Sequence, residues 1–374
     1  MNFKNQKYAL LFLFVTVLSL NGFAHDDHSE IKEVKTEKFN AGDMIMHHVL
    51  DAHELHFFTL NKGEANEFHA SLRLPIILWT KDGLDMFSAS HFYHNEKEEH
   101  GHKYYAHKNY VMSHEHIYYA NEAGGLSFDE KNKINNTTPL DLSFTKSVLG
   151  LFVAAIIMLL IFISVARASK RRRGMAPKGL QNMMETMILF IRDEVAVPSI
   201  GEKKADKFTP FLLTTFFFIW IANLLGLIPF LGGFNVMGTM SVTLVLALVV
   251  FIITTVNGNG NYWKHILWPS GVPLPIKLLL VPIEIFGMFM KPIVLMIRLT
   301  ANITAGHIII LAFVSLIYIF GEQSAGAGYG AGIGSLIFMI FMNLIELLVA
   351  FLQAYVFTLL TALYFGSAVE EAHH

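Results

Sequence analysis

Six polar side chains stand in otherwise apolar sequence toward the end of the chain: Glu284, Arg298, Asn302, His307, Glu346 and Gln353. Arg298 poses the sharpest question. Its guanidinium does not lose its charge in a protein, and an arginine at the centre of a membrane helix is unfavourable by about 2.5–3.5 kcal/mol or more. On a helix, His307 lies about 13.5 Å beyond Arg298. Asn302 lies one turn beyond it on the same face, and Glu284 about four turns before it on roughly that face. Glu346 lies about 10.5 Å from Gln353 by the same rise. A hairpin folded at the glycine-rich segment near residue 326 sets Arg298 opposite Gln353 and His307 opposite Glu346. Polar groups thus meet polar groups at matched depths. Ionisable residues inside a membrane mark ion paths because their burial must be offset by pairing or by function.

A fixed cation halfway along a proton path would repel the passing ion. The arrangement works if two half-channels end on either side of Arg298 and a moving carboxylate joins them. Neither long segment holds a free acid for that task, since Glu346 is matched with His307, so the shuttle belongs to another chain. Ala301, Ala305 and Gly306 would let a partner helix come close to the arginine.

The elements that must hold these residues are legible in composition. The chain is 53% hydrophobic and 16% charged, with 32 Phe, and its mean hydropathy is +0.45. A polytopic membrane protein is expected. The net charge of −2 gives no reason to expect nucleic acid. With no cysteine, disulfides, thiolate nucleophiles and cysteine-based zinc sites are excluded.

Residues 1–24 read as a signal peptide: Lys4 and Lys7, an apolar run from Tyr8 to Leu20, then Gly22-Phe23-Ala24. That run is too short for a span of about 20 residues. Residues 25–142 read as a small exported domain with short strands, as in "FHASLRLPIILW" and the turn Asp82-Gly83. Most histidines lie here, among them His47, His48, His53, His56, His91, His94, His100 and His102. Without a helix-defined ligand motif, they read as a solvated surface rather than a metal site, and no cofactor is expected.

Residues 143–374 read as the membrane domain. Ser147–Ala166 is a span followed by Lys170 to Arg173, which marks that end as cytoplasmic. Leu180, Met183, Met184, Met187, Ile188, Ile191 and Val195 describe an amphipathic helix on the inner membrane surface. Two spans follow at Phe208–Leu231 and Met237–Val256, joined by the turn "GGFN". Two long apolar stretches, Pro275–Phe320 and Ser335–Phe365, flank the expected loop "GEQSAGAGYGAGIG" and would cross with tilt. The expected fold is all-α with about five transmembrane helices, the interfacial helix and a small N-terminal periplasmic domain containing β-structure.

The segments "KPIVLMIRLTANITAGH", "NLIELLVAFLQAYVFTLLTALY", "NLLGLIPF" and "FGSAVEEAHH" together resemble subunit a of the rotary F-type ATP synthase, from about residue 145 to the end. The resemblance implies a stator in a bacterial inner membrane, beside a ring of c subunits and linked to subunit b and the soluble ATPase head. The chain would have no catalytic site of its own. It also implies roles: Arg298 attracts the ring carboxylate and blocks leakage, Gln353 orients the guanidinium, Asn302, His307 and Glu346 line the entrance, and Glu284 lines the exit. His307 and Glu346 are exchanged relative to the common bacterial form. The exported domain has no counterpart in the family's core, and "NVMGTMSVTLVLAL" lacks an aspartate often found near that turn. The alternative is a secondary transporter or ion channel with a periplasmic metal-binding domain. A transporter should show repeated halves, and the arginine helix is not repeated.

Overall fold

The computed structural model describes residues 41–370 apart from 43–44, 46–48, 61–67, 82, 93–95, 100–101, 229–233 and 270–272. The expected signal peptide and its cleavage site lie outside the described residues, as do His47, His48, His94 and His100.

The N-terminal part is built from short antiparallel strands. β1 (Glu54–Leu60) pairs with β2 (Phe68–Arg73), and β3 (Pro75–Thr80) pairs with β4 (Gly83–Ser88) and with β9 (Leu140–Asp141). β5 (Glu96–Glu99), β6 (His102–His107), β7 (Tyr110–Ser113) and β8 (His116–Tyr119) form a four-stranded meander. Ile76 and Leu78 alternate along β3 and are buried with Phe92, Tyr110 and Met112. That is the period-two pattern of a strand with one face on a core. The β7–β8 turn is two residues long, His114-Glu115, both with positive φ (49° and 63°), which matches the twist of the flanking strands.

Seven helices follow among the described residues. α1 (Lys146–Arg171) is capped by Thr145, whose side chain accepts the Val148 N–H. Its last turn carries Lys170 and Arg171, where cations suit the helix dipole. α2 (Leu180–Phe190) continues through a π-helical stretch at Ile191–Ala196 and a last turn at Val197–Ile200. Its amphipathic pattern is used in part: Met184, Ile191 and Val195 are buried in the main core, while Leu180 and Met183 stay exposed. α3 (Glu202–Gly226) lies at the centre, with Leu212, Phe216, Phe217 and Ile219 almost fully buried. α4 (Met240–Val256) and α5 (Gly260–Leu267) meet at a bend of 104°. α6 (Leu274–Gln323) and α7 (Ala325–Val369) are 50 and 45 residues long and form an antiparallel hairpin. Among the described residues, four helices are long and apolar enough to cross a membrane, or five if the bent pair is one span.

Two boundaries differ from expectation. The glycine-rich segment is helical rather than a loop, and Ser324 alone separates α6 from α7. Ser324 caps α7 by accepting the Ala327 N–H. The glycines serve the crossing: a Cβ on Gly328 would stand 2.8 Å from the Cα of Gly321. The second span begins at Glu202, before Phe208, and ends at Gly226. Pro210 sits inside it without ending it, and Thr214 donates to the Pro210 carbonyl.

Candidate proton-path site

The α6–α7 hairpin sets the register of the polar residues. Phe313 stacks on Phe338 with ring centroids 3.8 Å apart. Nearer the arginine, Gly306 lies against the Glu346 carboxylate so closely that a Cβ there would collide with Oε1. His307 and Glu346 are therefore neighbours at one depth. Continuing that register places Gln353 at the level of Arg298.

On one side of Arg298 along α6 is a cavity of about 20 Å³ lined by Asn223, Asn302, His307 and Glu346 among apolar residues. A space of that size accommodates about one water molecule. Asn223 Oδ1 and Glu346 Oε2 are buried there without a hydrogen-bond partner, which marks the cavity as a place for water. Asn223 Nδ2 donates to the Ala350 carbonyl at 3.4 Å, fixing α3 to α7. On the other side of Arg298 is a second cavity of about 10 Å³, lined by Thr254, Tyr262, Lys291 and Tyr364 among apolar residues. The Lys291 ammonium stands 5.2 Å over the Tyr364 ring, a cation–π distance. The two cavities share no lining residue.

Arg298 lies between them, on an exposed face of α6 beside Ala301 and Ala305. It is within electrostatic reach of Tyr364. The hydrogen bond from Gln353 to the guanidinium is not formed, and Arg298 makes no ion pair among the described residues. The reason is orientation: Gln353 is at the right level but half-buried, while the arginine points outward. Glu284 is half-exposed and lines neither cavity. Asn223, Tyr262 and Tyr364 were not singled out from sequence. Asn223 had a signal, an amide within "FFFIWIANLLG". The tyrosines had none, because an aromatic at a helix end is ordinary in membrane proteins.

Among the described residues, the histidine-rich domain has one buried histidine, His53, 2% exposed. Its Nδ1 is 3.5 Å from Glu115 Oε2 and its Nε2 3.6 Å from Asp141 Oδ2. Burial opposes its charge, but the two carboxylates prevail and raise its pKa to about 9. Among the described residues no three His, Asp or Glu side chains converge as a metal ion would require.

Residues 148–366 match the family model of the ATP synthase A chain. Residues 44–142 match a separate model, "Domain of unknown function (DUF8433)". A protein of Anaeromyxobacter sp. (strain Fw109-5) named ATP synthase subunit a is 34% identical over 341 residues, 89% of this chain and 71% of that protein. That match is too long to fit within the helices, so the likeness reaches into the N-terminal domain. ATP synthase subunit a of Chloroherpeton thalassium is 41% identical over 241 residues, 63% of this chain and 69% of that protein. ATP synthase subunit a 2 of Chlorobaculum tepidum is 44% identical over 235 residues, 61% of this chain and 64% of that protein. With the family model covering more than half of its length, this chain belongs to the ATP synthase A chain family.

Proposed function

We propose that this chain is the proton-translocating stator of an ATP synthase membrane sector. It forms two half-channels beside a ring of c subunits and couples proton flow to ring rotation. One observation carries the reading: two separate small cavities, each with a few polar groups in a mostly apolar lining, lie on opposite sides of Arg298, and the arginine itself faces outward between them. A continuous pore would leak protons, whereas two dead ends flanking a permanent cation pass a proton only by way of a mobile acid. Arg298 holds that acid ionised while it changes half-channel, because a cation within about 4–6 Å favours the carboxylate. Asn302, His307 and Glu346, with Asn223, line the entrance. Lys291, Tyr262 and Tyr364 line the exit in place of the Glu284 expected from sequence, which would serve further toward the mouth. Gln353 packs at the arginine's level and would reach it when the ring is seated.

The orientation follows from the basic run Lys170–Arg173 at the end of α1, which sets that end in the cytoplasm. The N-terminal domain, with residues 25–142 as its span and residues 1–24 as its export signal, is then periplasmic, in a bacterial inner membrane. The C-terminus is cytoplasmic. Subunit b and the soluble head are partners through the complex.

Arg298→Ala is expected to abolish proton-driven ATP synthesis in membranes while the complex still assembles. Normal synthesis in that variant would reject the reading. Arg298→Lys should fail too, since a lysine in a dehydrated site loses its proton and presents no fork.

A further inference from the structure

The half-channels leave one face of the N-terminal domain without a use. Side chains alternate along β3, with Ile76 and Leu78 inward and Ile77 and Trp79 outward. The strand register extends the outward set into rows. Trp79 stands between Leu84 of β4 and Leu140 of β9. Ile77 pairs with Met86, and its carbonyl accepts the Leu142 N–H at 2.9 Å, so Met86, Ile77 and Leu142 make the next row. The pairing runs on to Pro75, whose carbonyl accepts the Phe144 N–H at 3.2 Å. Asp141 fixes the sides independently: its carboxylate turns inward, with Oδ2 3.6 Å from Nε2 of the buried His53. Leu140, Leu142 and Phe144 therefore turn outward.

Among the described residues of the domain, the large hydrophobic side chains left exposed are Trp79, Leu84, Met86, Leu140, Leu142 and Phe144, and all six belong to this face. Trp79 is 58% exposed and Leu140 61%, against 0% for Leu78 on the other face of β3. A sheet with one side in water carries polar residues there, as the four-stranded meander does with its exposed Lys97 and His116. A contiguous apolar patch instead marks a contact with a membrane or another protein. What the patch joins decides between them. Thr145 caps α1 directly after Phe144, the Lys146 N–H donates to the Ala52 carbonyl at 2.9 Å, and the Ser147 N–H donates to Asp51 Oδ1 at 2.9 Å. This junction fixes the sheet to the helix without a linker. The Phe144 ring lies 6.2 Å from the Phe152 ring, and Phe152 begins an exposed stripe of α1 with Ile156, Leu159 and Ile163. Their spacing of three and four residues puts them on one side of the helix. The most apolar stretch of α1 is only 17% buried, so this stripe is the surface that a spanning helix presents to lipid.

We propose that the outward face of the β4–β3–β9 sheet lies against phospholipid, in the headgroup and upper acyl region of the leaflet at the N-terminal end of α1. The depth agrees. The hydrocarbon core takes about 20 helical residues, and that count, taken back from Arg167 at the far end of α1, stops at Ser147. Phe144 is then at the edge of the core, and the rows of Leu142 and Trp79 lie in the headgroup layer beyond it, where tryptophan is enriched. The sheet extends the lipid surface of α1 and holds the N-terminal domain down on the membrane. This role does not depend on the half-channels; it needs only that α1 crosses the bilayer.

The test uses single cysteines, since the chain has none of its own. Leu84→Cys, Leu140→Cys and His116→Cys, each at an exposed position, are labelled with a polarity-sensitive fluorophore in a complex otherwise free of cysteine. The complex is reconstituted in phosphatidylcholine–phosphatidylglycerol liposomes with and without lipid carrying a nitroxide high on its acyl chain. Labels at 84 and 140 should emit to the blue of the label at 116 and lose most of their emission to the nitroxide, while the label at 116 keeps most of its own. Met86→Cys, on the same face, replaces either position if that variant does not assemble. Blue emission that the nitroxide leaves intact would mean that another subunit or a second copy covers the face, and would overturn the proposal. Emission as in water at 84 or 140 would overturn it too, as would an equal loss at 116, which would show no preference for this face.

Discussion

His53 shows how one residue ties the strands to the helices. Its imidazole is clasped by Glu115 and Asp141, and its own backbone N–H donates to Glu115 Oε2 at 3.1 Å. The folded protein holds its proton up to a pKa of about 9, against 6.5 for the ordinary residue. A raised folded pKa gives stability that is complete below about pH 6.5 and lost as pH rises through about 9. The whole difference is about 3 kcal/mol. Hydrogen-exchange protection of the Ser147 and Leu74 amides, corrected for intrinsic rate, should therefore fall between pH 6.5 and 9. In His53→Gln it should be low and flat across that range. A wild-type protein with constant protection would show that the clasp contributes nothing to the junction. At Arg298 the relevant property is different: the charge is permanent and exposed in the isolated chain, so its cost is met at a protein surface and not by an internal salt bridge.

Among the elements, the hairpin of α6 and α7 depends on positions without side chains. Gly306 is one, because a Cβ there would push the Glu346 carboxylate out of the cavity it shares with His307. Gly306→Ala should lower proton-driven synthesis about tenfold or more, since a displacement near 1 Å is enough for such a loss. ATP hydrolysis by the detached head should be unchanged. Gly366 is another, and its Cβ would meet the backbone carbonyl of Ser199, which cannot rotate away. Gly366→Ala should cost roughly 1–3 kcal/mol by overpacking and reduce the amount of chain in membranes. Gly287, with nothing within 4 Å of its Cβ, is the control. There alanine should be neutral or slightly stabilising, as helix propensity requires. Equal membrane levels for the Gly366→Ala and Gly287→Ala variants, or undiminished synthesis in Gly306→Ala, would contradict this account of the packing.

At the scale of the molecule, burial is uneven in a way that has a direction. The most apolar stretch of α3 is 61% buried, while those of α6 and α7 are 6% and 11% buried. Arg298, Ile297, Ala301, Leu344 and Leu348 all lie on exposed surface of these two helices. A surface of this kind faces lipid or a partner helix, and alanines beside an arginine suit close approach by another helix. The chain has no native cysteine, so single cysteines report cleanly. Ala301→Cys should resist a membrane-soluble maleimide in the assembled complex and react once the complex is dissociated. Ile156→Cys, on the exposed side of α1, should react in both states. Equal reactivity at residue 301 in both states would place the ring elsewhere.

By itself, the sequence determined the class, the number of spans and the neighbours His307 and Glu346. Apolar length and the hairpin register are local, one-dimensional properties, and they survive whatever packs around them. The same reasoning misplaced the glycine-rich loop, because glycine weakens a helix only when nothing compensates, and here each arm supports the other. Only the tertiary structure decided that two cavities flank Arg298, that Asn223 lines one and Tyr364 the other, and that the strand domain is hydrogen-bonded to the start of α1. Those facts depend on contacts between residues far apart in the chain, such as Asn223 with Ala350 or Asp51 with Ser147. No periodicity encodes which distant turn a side chain will meet. The reason is physical: hydrophobic burial is non-directional and sets which face turns inward, whereas the close approach of one particular turn to another is fixed only when the whole core is packed.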